Sequence, residues 1–224
     1  MLSIVTLYPE ALGTYGDGGN ALALVHRAHA RGYRVESLAI SLGSPLPDAD
    51  IYLLGGGEDG PQRQAADALR DDGSLASRVA HGALVVAVCA GLQILGQSFE
   101  VAGGRIAEGV GLIDAETRRG AQRRVGNALI RVDGRYVVGF ENHGGDTQLG
   151  SEAPLGQVVR GYGNDGAVDG VRTEGVWGTY LHGPVLALNP WLCDAVIERA
   201  TGEPLEPYAS VADDLYQARL ASLL

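Results

Sequence analysis

The run Ala83-Leu84-Val85-Val86-Ala87-Val88, ending on Cys89-Ala90-Gly91, constrains this chain more than any other segment. A short, unbroken apolar run rich in valine is a strand buried on both faces, as in a parallel sheet covered by helices. It delivers a cysteine into a small-residue turn, and Gly91–Gln97 then has helical composition. A strand passing through a tight turn into a helix raises the residue at the turn above the sheet edge, the layout of a nucleophile elbow.

The residues before it alternate in the same sense. Leu2–Leu7 is an apolar run, followed by the turn-rich segment Tyr8–Gly19. Asn20 can cap a helix running to about Arg31 and ending at Gly32. Tyr33–Ile40 reads as a strand, Ser44–Pro47 as a turn, and Ile51–Leu54 as a buried strand entering Gly55-Gly56-Gly57. Helices are expected over about Pro61–Arg70 and Leu75–His81. This order predicts an α/β fold with a parallel sheet flanked by helices, and sites at the carboxyl ends of its strands. Two places satisfy that rule, the Gly55–Gly57 turn and Cys89.

From Arg105 to Tyr180 glycine and β-formers alternate, which predicts short antiparallel strands and hairpins. Asp133-Gly134 is a hairpin turn between Ala128–Val132 and Tyr136–Phe140. Helices are expected over about Pro190–Ala200 and in the tail, Leu205–Leu224. No linker or low-complexity segment interrupts the 224 residues, so a single domain over 1–224 is expected.

With 27 acidic residues against 17 Lys and Arg, the net charge is −10, which disfavours binding to phosphate backbones. Met1–Glu10 lacks the pattern of a secretion signal, and the longest apolar run, Ala83–Ala90, is too short to span a bilayer. The expectation is a cytoplasmic protein whose two cysteines, Cys89 and Cys193, are reduced. Neither lies in the short Cys/His spacing of a zinc site, so no metal is expected.

A helix start beside Cys89 favours thiolate over thiol, lowering a pKa that is ordinarily about 8.5. It also offers free backbone N–H groups to an oxyanion. The bland alternative is a buried structural cysteine, the reading given to Cys193 on its apparent helix. A cysteine nucleophile needs a base. His26 and His29 read as a solvated helix face and His81 as a helix end. His182 closes the β-rich run Val176–Gly183, which places an imidazole at a strand end.

The string Val88-Cys89-Ala90-Gly91-Leu92-Gln93-Ile94-Leu95-Gly96 resembles the nucleophile region of class I, triad-type glutamine amidotransferases, whose fold is flavodoxin-like. Gly178-Thr179-Tyr180-Leu181-His182-Gly183 resembles the catalytic-histidine segment of those attached to cobyric and cobyrinic acid synthases. The resemblance implies that Cys89 attacks the side-chain amide of glutamine, giving a thioester and ammonia, with His182 as base. Gln93 would help to hold the substrate. The Ala90 amide and one from Gly55–Gly57, assigned to Gly56, would form the oxyanion hole.

Many members carry a glutamate two residues after the histidine. Here Gly183 and Pro184 follow, so the orienting acid comes from elsewhere in the chain, such as Glu174, from a partner, or is dispensed with. Val138–Gly145, Arg160–Asn164, Gly16–Asn20 and Thr179–Pro184 resemble, in order, the GatD-type subunits of lipid II isoglutaminyl synthases. These matches span about Tyr15–Asn189. That resemblance implies a heterodimer with a MurT-like Mur-ligase subunit, which binds ATP and magnesium and amidates the D-glutamate α-carboxyl of the lipid II stem peptide. No cofactor is implied for this chain. It implies too that the partner supplies the missing carboxylate and that an arginine before Gly126 holds glutamine. Arg123 aligns best, with Arg124 adjacent, and the rest of Arg118–Arg124 reads as a solvated basic loop.

Asn142 and His143 either line the glutamine pocket or shape a turn through Gly144-Gly145. Glu58-Asp59 reads as a loop, Asp213-Asp214 as a helix start, and Gly16–Asn20 as a turn opening a helix. Three other functions share these residues: an amidotransferase for a corrinoid or other small acid, a catalytically silent binding module, and a stand-alone cysteine hydrolase.

Overall fold

The computed structural model describes residues 1–224. The first half comprises β1 (Leu2–Leu7), α1 (Pro9–Leu12), α2 (Gly19–Ala30), β2 (Val35–Ile40), β3 (Ile51–Leu54), α3 (Asp59–Asp72), α4 (Leu75–Ala80), β4 (Leu84–Val88) and α5 (Ala90–Leu95). There follow β5 (Ser98–Val101), β6 (Arg105–Glu108), β7 (Ala115–Val132), β8 (Arg135–Leu149), β9 (Gly156–Arg160), β10 (Val168–Asp169), β11 (Val171–Arg172), β12 (Val176–Thr179) and β13 (Leu181–His182). Three helices close the chain: α6 (Val185–Leu188), α7 (Pro190–Thr201) and α8 (Val211–Ala221).

A six-stranded sheet runs β11-β12-β4-β3-β1-β2, parallel throughout except for β11. Strand β4 lies inside it, between β3 and β12, and all of its residues are buried. The valine-rich composition follows, since both faces of an interior parallel strand pack against apolar neighbours. A second sheet runs β10-β9-β7-β5-β6, with β8 paired to β7 and β13 paired to β8. One apolar cluster joins residues of both sheets, from Ile4, Leu54 and Val86 to Phe99, Ile130, Val137 and Leu181.

The second sheet departs from the expected short strands. β7 and β8 form one long hairpin, of 18 and 15 residues, closed at Asp133-Gly134 with both residues at positive φ. That two-residue turn suits the twist of an antiparallel pair. The Asn142–Gly145 stretch is therefore strand, not turn. Gly145 in it marks a close approach: a Cβ there would lie 2.6 Å from Gln93 Nε2. Pairing slips between Arg119 and Arg124, so the strand carries an irregularity at that point.

Two boundaries also moved. Asn20 does not cap α2, because its Oδ1 accepts the Leu186 N–H at 2.9 Å. The last helix starts at Val211, not Leu205, behind a capping box formed by Ser210 and Asp213. Pro204 and Pro207 in the preceding segment push the residues before them, Glu203 and Glu206, out of the helical region. No helix is long and apolar enough to cross a membrane.

Candidate active site

Cys89 stands between β4 and α5 with φ 52° and ψ −106°, a backbone that L residues rarely adopt. Its neighbours hold it there. The Cys89 N–H donates to Thr179 O at 2.8 Å, and the Gly91 N–H donates to Gly55 O at 3.1 Å. The Ala90 N–H beside the sulfur favours thiolate, yet burial first, and then the charge of Asp17, push the thiol up to about 12. The expected thiolate is thus overturned. α5 has only six residues, and its amides together with the Arg123 charge do not offset desolvation of the sulfur.

His182 arrives at the same sheet edge because β12 pairs in parallel with β4, with Thr179 opposite Val88. It is buried, and its Nδ1 faces both carboxylate oxygens of Asp17, at 3.2 and 3.1 Å. Its Nε2 is buried and has no protein hydrogen-bond partner. A carboxylate on Nδ1 selects the tautomer with its proton there, leaving a lone pair on Nε2. Asp17 is itself buried, in the segment between α1 and α2, and its Oδ2 also accepts the Gly56 N–H at 2.8 Å. Sequence reasoning had passed over it as part of a turn.

This arrangement settles two other expectations. Glu174 precedes β12, at the opposite end of the strand from His182, and its side chain is 95% exposed beside Arg199, so it does not orient the imidazole. The Gly56 amide is spent on Asp17 and is not free for an oxyanion. Gly56 instead fills the space between two rings. A Cβ there would meet His182 Cε1 at 2.7 Å and Tyr15 Cδ2 at 3.1 Å. Gly57 is the member of the glycine turn that lines the cleft with Cys89 and Ala90.

The cleft in front of the cysteine has a volume of about 300 Å³ and a polar wall. The irregular stretch of β7 carries Arg123 into it. Arg123 Nε donates to Asn142 Oδ1 at 2.8 Å and Nη2 donates to the Tyr15 hydroxyl at 3.1 Å. Arg124 turns elsewhere, its guanidinium 3.8 Å from the centroid of the Tyr162 ring. Gln93 lines the cleft with its amide held on both sides: Gln62 Nε2 donates to its Oε1 at 2.8 Å, and its Nε2 donates to Tyr180 Oη at 3.0 Å. His143 also borders the cleft, but it is buried, stacked on Tyr180 at 3.9 Å between centroids and bonded through Nδ1 to Gly145 O. Those contacts make it a prop for the wall. Glu58 and Asp59, read as a loop, cap and open α3 and belong to the cleft.

The remaining histidines and Cys193 stay apart from this edge. His26 and His29 are exposed on α2, His81 bonds Ser77 O, and Cys193 is buried in α7 with its thiol pushed up to about 12 by desolvation. No three His, Cys, Asp or Glu side chains converge to hold a metal ion.

The model of the CobB/CobQ-like glutamine amidotransferase domain matches residues 3–190. The chain is 34% identical over 215 residues to the GatD subunit of the lipid II isoglutaminyl synthase of Staphylococcus aureus, covering 92% of this chain and 88% of that one. To the corresponding subunit of Streptococcus pneumoniae it is 36% identical over 209 residues, 89% of this chain and 80% of that protein. A probable cobyric acid synthase of Methanothermobacter thermautotrophicus is 35% identical over 146 residues, but these are 54% of this chain and 28% of that one. Among solved structures, a glutamine amidotransferase superposes with a TM-score of 0.61 at 19% identity, covering 88% of this chain and 98% of that one. PurLQS from Thermotoga maritima does so with 0.59 at 17% identity over the whole of both chains, a likeness of fold. On the family match and the two GatD relatives, the chain belongs to the CobB/CobQ-like glutamine amidotransferases.

Proposed function

We propose that this chain is the glutaminase subunit of a lipid II isoglutaminyl synthase. The observation that carries the reading is the buried Asp17–His182 pair at the sheet edge where the Cys89 turn opens into a polar cleft. Membership of the family and likeness to two GatD subunits support the substrate and the acceptor.

In the proposed reaction, Cys89 Sγ adds to the side-chain carbonyl carbon of glutamine while its proton passes to His182 Nε2. A thiol held up to about 12 is not ionised beforehand, so this transfer accompanies attack. The developing oxyanion receives the N–H groups of Ala90 and Gly57. The C–N bond then breaks, and His182 returns the proton to nitrogen. Ammonia leaves, and a γ-glutamyl thioester remains on Cys89. Water adds to the thioester with His182 as base, giving glutamate and the thiol. Asp17 fixes the imidazole tautomer and stabilises the imidazolium from within the chain. Arg123, supported by Asn142, receives the glutamine carboxylate, and Gln93 borders the amide.

The ammonia then passes to a MurT-type ligase partner in the cytoplasm, which uses ATP and magnesium to amidate the D-glutamate α-carboxyl of lipid II. A corrinoid-type acceptor is the second reading; the shorter match to a cobyric acid synthase favours it less.

The test is glutamate release from glutamine by the purified chain, alone and with the ligase, with Cys89→Ala and Asp17→Asn alongside. Cys89-dependent release that needs Asp17 supports the site as described. Release that needs the partner but not Asp17 would transfer the orienting acid to the partner. No release from folded protein in either setting would leave a catalytically silent member of the family.

A further inference from the structure

The chain passes between the two sheets at Gly170 and again at Tyr180, and these two crossings meet. At the first, Asp169 ends β10 in the second sheet and Val171 begins β11 in the first, with only Gly170 between. Gly170 has φ 68°, and a Cβ there would lie 1.9 Å from Gly178 O, so this crossing sits hard against β12. Asn164 clamps it, donating from Nδ2 to Gly170 O at 2.8 Å and accepting the Gly170 N–H at 2.7 Å. At the second crossing, Thr179 ends β12 and Leu181 begins β13, with only Tyr180 between.

A residue between two sheets belongs to neither ladder, so its buried backbone N–H needs another acceptor. Asp169 supplies it. Its Oδ1 accepts the Tyr180 N–H at 3.1 Å, and its Oδ2 accepts the Thr179 hydroxyl at 2.5 Å. The same hydroxyl accepts the Leu181 N–H at 3.0 Å. Asp169 is fully buried, and neither of its hydrogen bonds comes from a cation. The charged groups nearest to it, His143 and Glu141 on β8, face each other at 3.5 Å. Burial accordingly pushes the Asp169 carboxyl up to about 6, against the two hydrogen bonds that hold it down. A buried carboxylate without a cation is a costly way to tie a turn.

Both catalytic groups hang from the crossing that Asp169 ties. Thr179 O accepts the Cys89 N–H at 2.8 Å, where the cysteine backbone is held at φ 52°. His182 follows Leu181 directly. We propose that Asp169 is a positioning residue which, through the Thr179 hydroxyl and the Tyr180 amide, fixes His182 against Cys89. The inference rests on the glutaminase reading and adds to it a residue buried behind the cleft lining. The substrate wall has anchors of its own. The Tyr180 hydroxyl, which holds Gln93, is bonded to Thr147 Oγ1 at 2.6 Å, and the ring stacks on His143. Loosening the crossing should therefore disturb the alignment of the catalytic pair more than the binding of glutamine.

The experiment measures kcat and KM for glutamate release by the chain assembled with its ligase, in Thr179→Val, Thr179→Ser and Asp169→Asn. Rates are taken per folded molecule, with thermal unfolding followed alongside. Thr179→Val keeps the shape and removes the hydroxyl; kcat should fall about 10- to 100-fold with KM within about threefold. Thr179→Ser keeps the hydroxyl and should stay within about threefold of the unsubstituted protein in both parameters. Asp169→Asn should resemble Thr179→Val, and if it does not fold, the two Thr179 variants decide. A lower melting temperature with kcat unchanged would make Asp169 and Thr179 a structural tie only, and overturns the inference. So does a rise in KM alone, or an equal loss of kcat in Thr179→Val and Thr179→Ser. Those results leave the glutaminase reading intact, whereas absence of glutamate release by the unsubstituted protein removes both.

Discussion

Two adjoining parts of the site treat charge in opposite ways. At its floor, behind the residues that line the cleft, Asp17 and His182 are almost fully buried and bonded to each other, and Asp17 is tied to the Gly56 amide. At the rim, Tyr15, Glu58, Arg119 and Arg123 stand partly or fully in water and share bonds through one hydroxyl and one ion pair. Buried polar groups without partners cost several times what an exposed pair gains. The floor therefore tolerates a single arrangement, whereas the rim can exchange its internal bonds for a ligand at little cost. Floor substitutions should strike the rate of the chemical step, and rim substitutions the affinity.

The largest effect expected is from Cys89→Ala, which removes the nucleophile; glutamate release should fall by about 10⁴-fold or more. Next comes Asp17→Asn. It keeps the shape but allows the wrong imidazole tautomer, so kcat should drop by roughly 10²- to 10⁴-fold with KM within about threefold. Glu174→Gln, on the solvent side of β12, should leave both parameters unchanged. If Asp17→Asn instead altered KM alone, the division between floor and rim would be wrong.

Arg123→Ala should raise KM by about 10- to 100-fold while kcat changes much less, read from initial rates over a wide range of glutamine concentration. Arg124→Ala should change KM less than about threefold. The smallest signal concerns pH. Because the Cys89 thiol lies above its ordinary value, the thiolate fraction grows as pH rises towards about 12. Alkylation of Cys89 in the free chain should accelerate across pH 6 to about 9 without levelling off. A plateau with its midpoint near neutrality would mean that a thiolate–imidazolium pair already exists at rest.

The parts legible in the sequence were those written in consecutive residues. The valine run into Cys89 announced the elbow, Asp133-Gly134 announced the hairpin, and the β-rich run into His182 placed a histidine at a strand end. Asp17 was not legible, because it meets His182 across 165 positions and sits in a Gly-Asp-Gly string that also reads as a turn. Its one local sign, shared with Glu10, was a place beyond the carboxyl end of the first strand, the edge where such sheets build sites. Gly56 and Gly57 could not be separated, since the choice depends on which amide Asp17 takes. The glycines of β7 and β8 misled in the other direction. Close neighbours at Gly120, Gly139 and Gly145, such as Gln93 of α5 against Gly145, put glycine into strands that composition alone breaks into pieces.

The backbone of Cys89 has a consequence for how this protein can change over generations. At φ 52° and ψ −106°, any residue with a side chain is held against its preference, at a cost of about 1–3 kcal/mol. Glycine would relieve that cost and abolish the nucleophile in the same step. A screen rewarding heat resistance alone would thus drift towards Cys89→Gly, yielding folded, sturdier and inert descendants. Activity at this corner persists only while it is selected for directly.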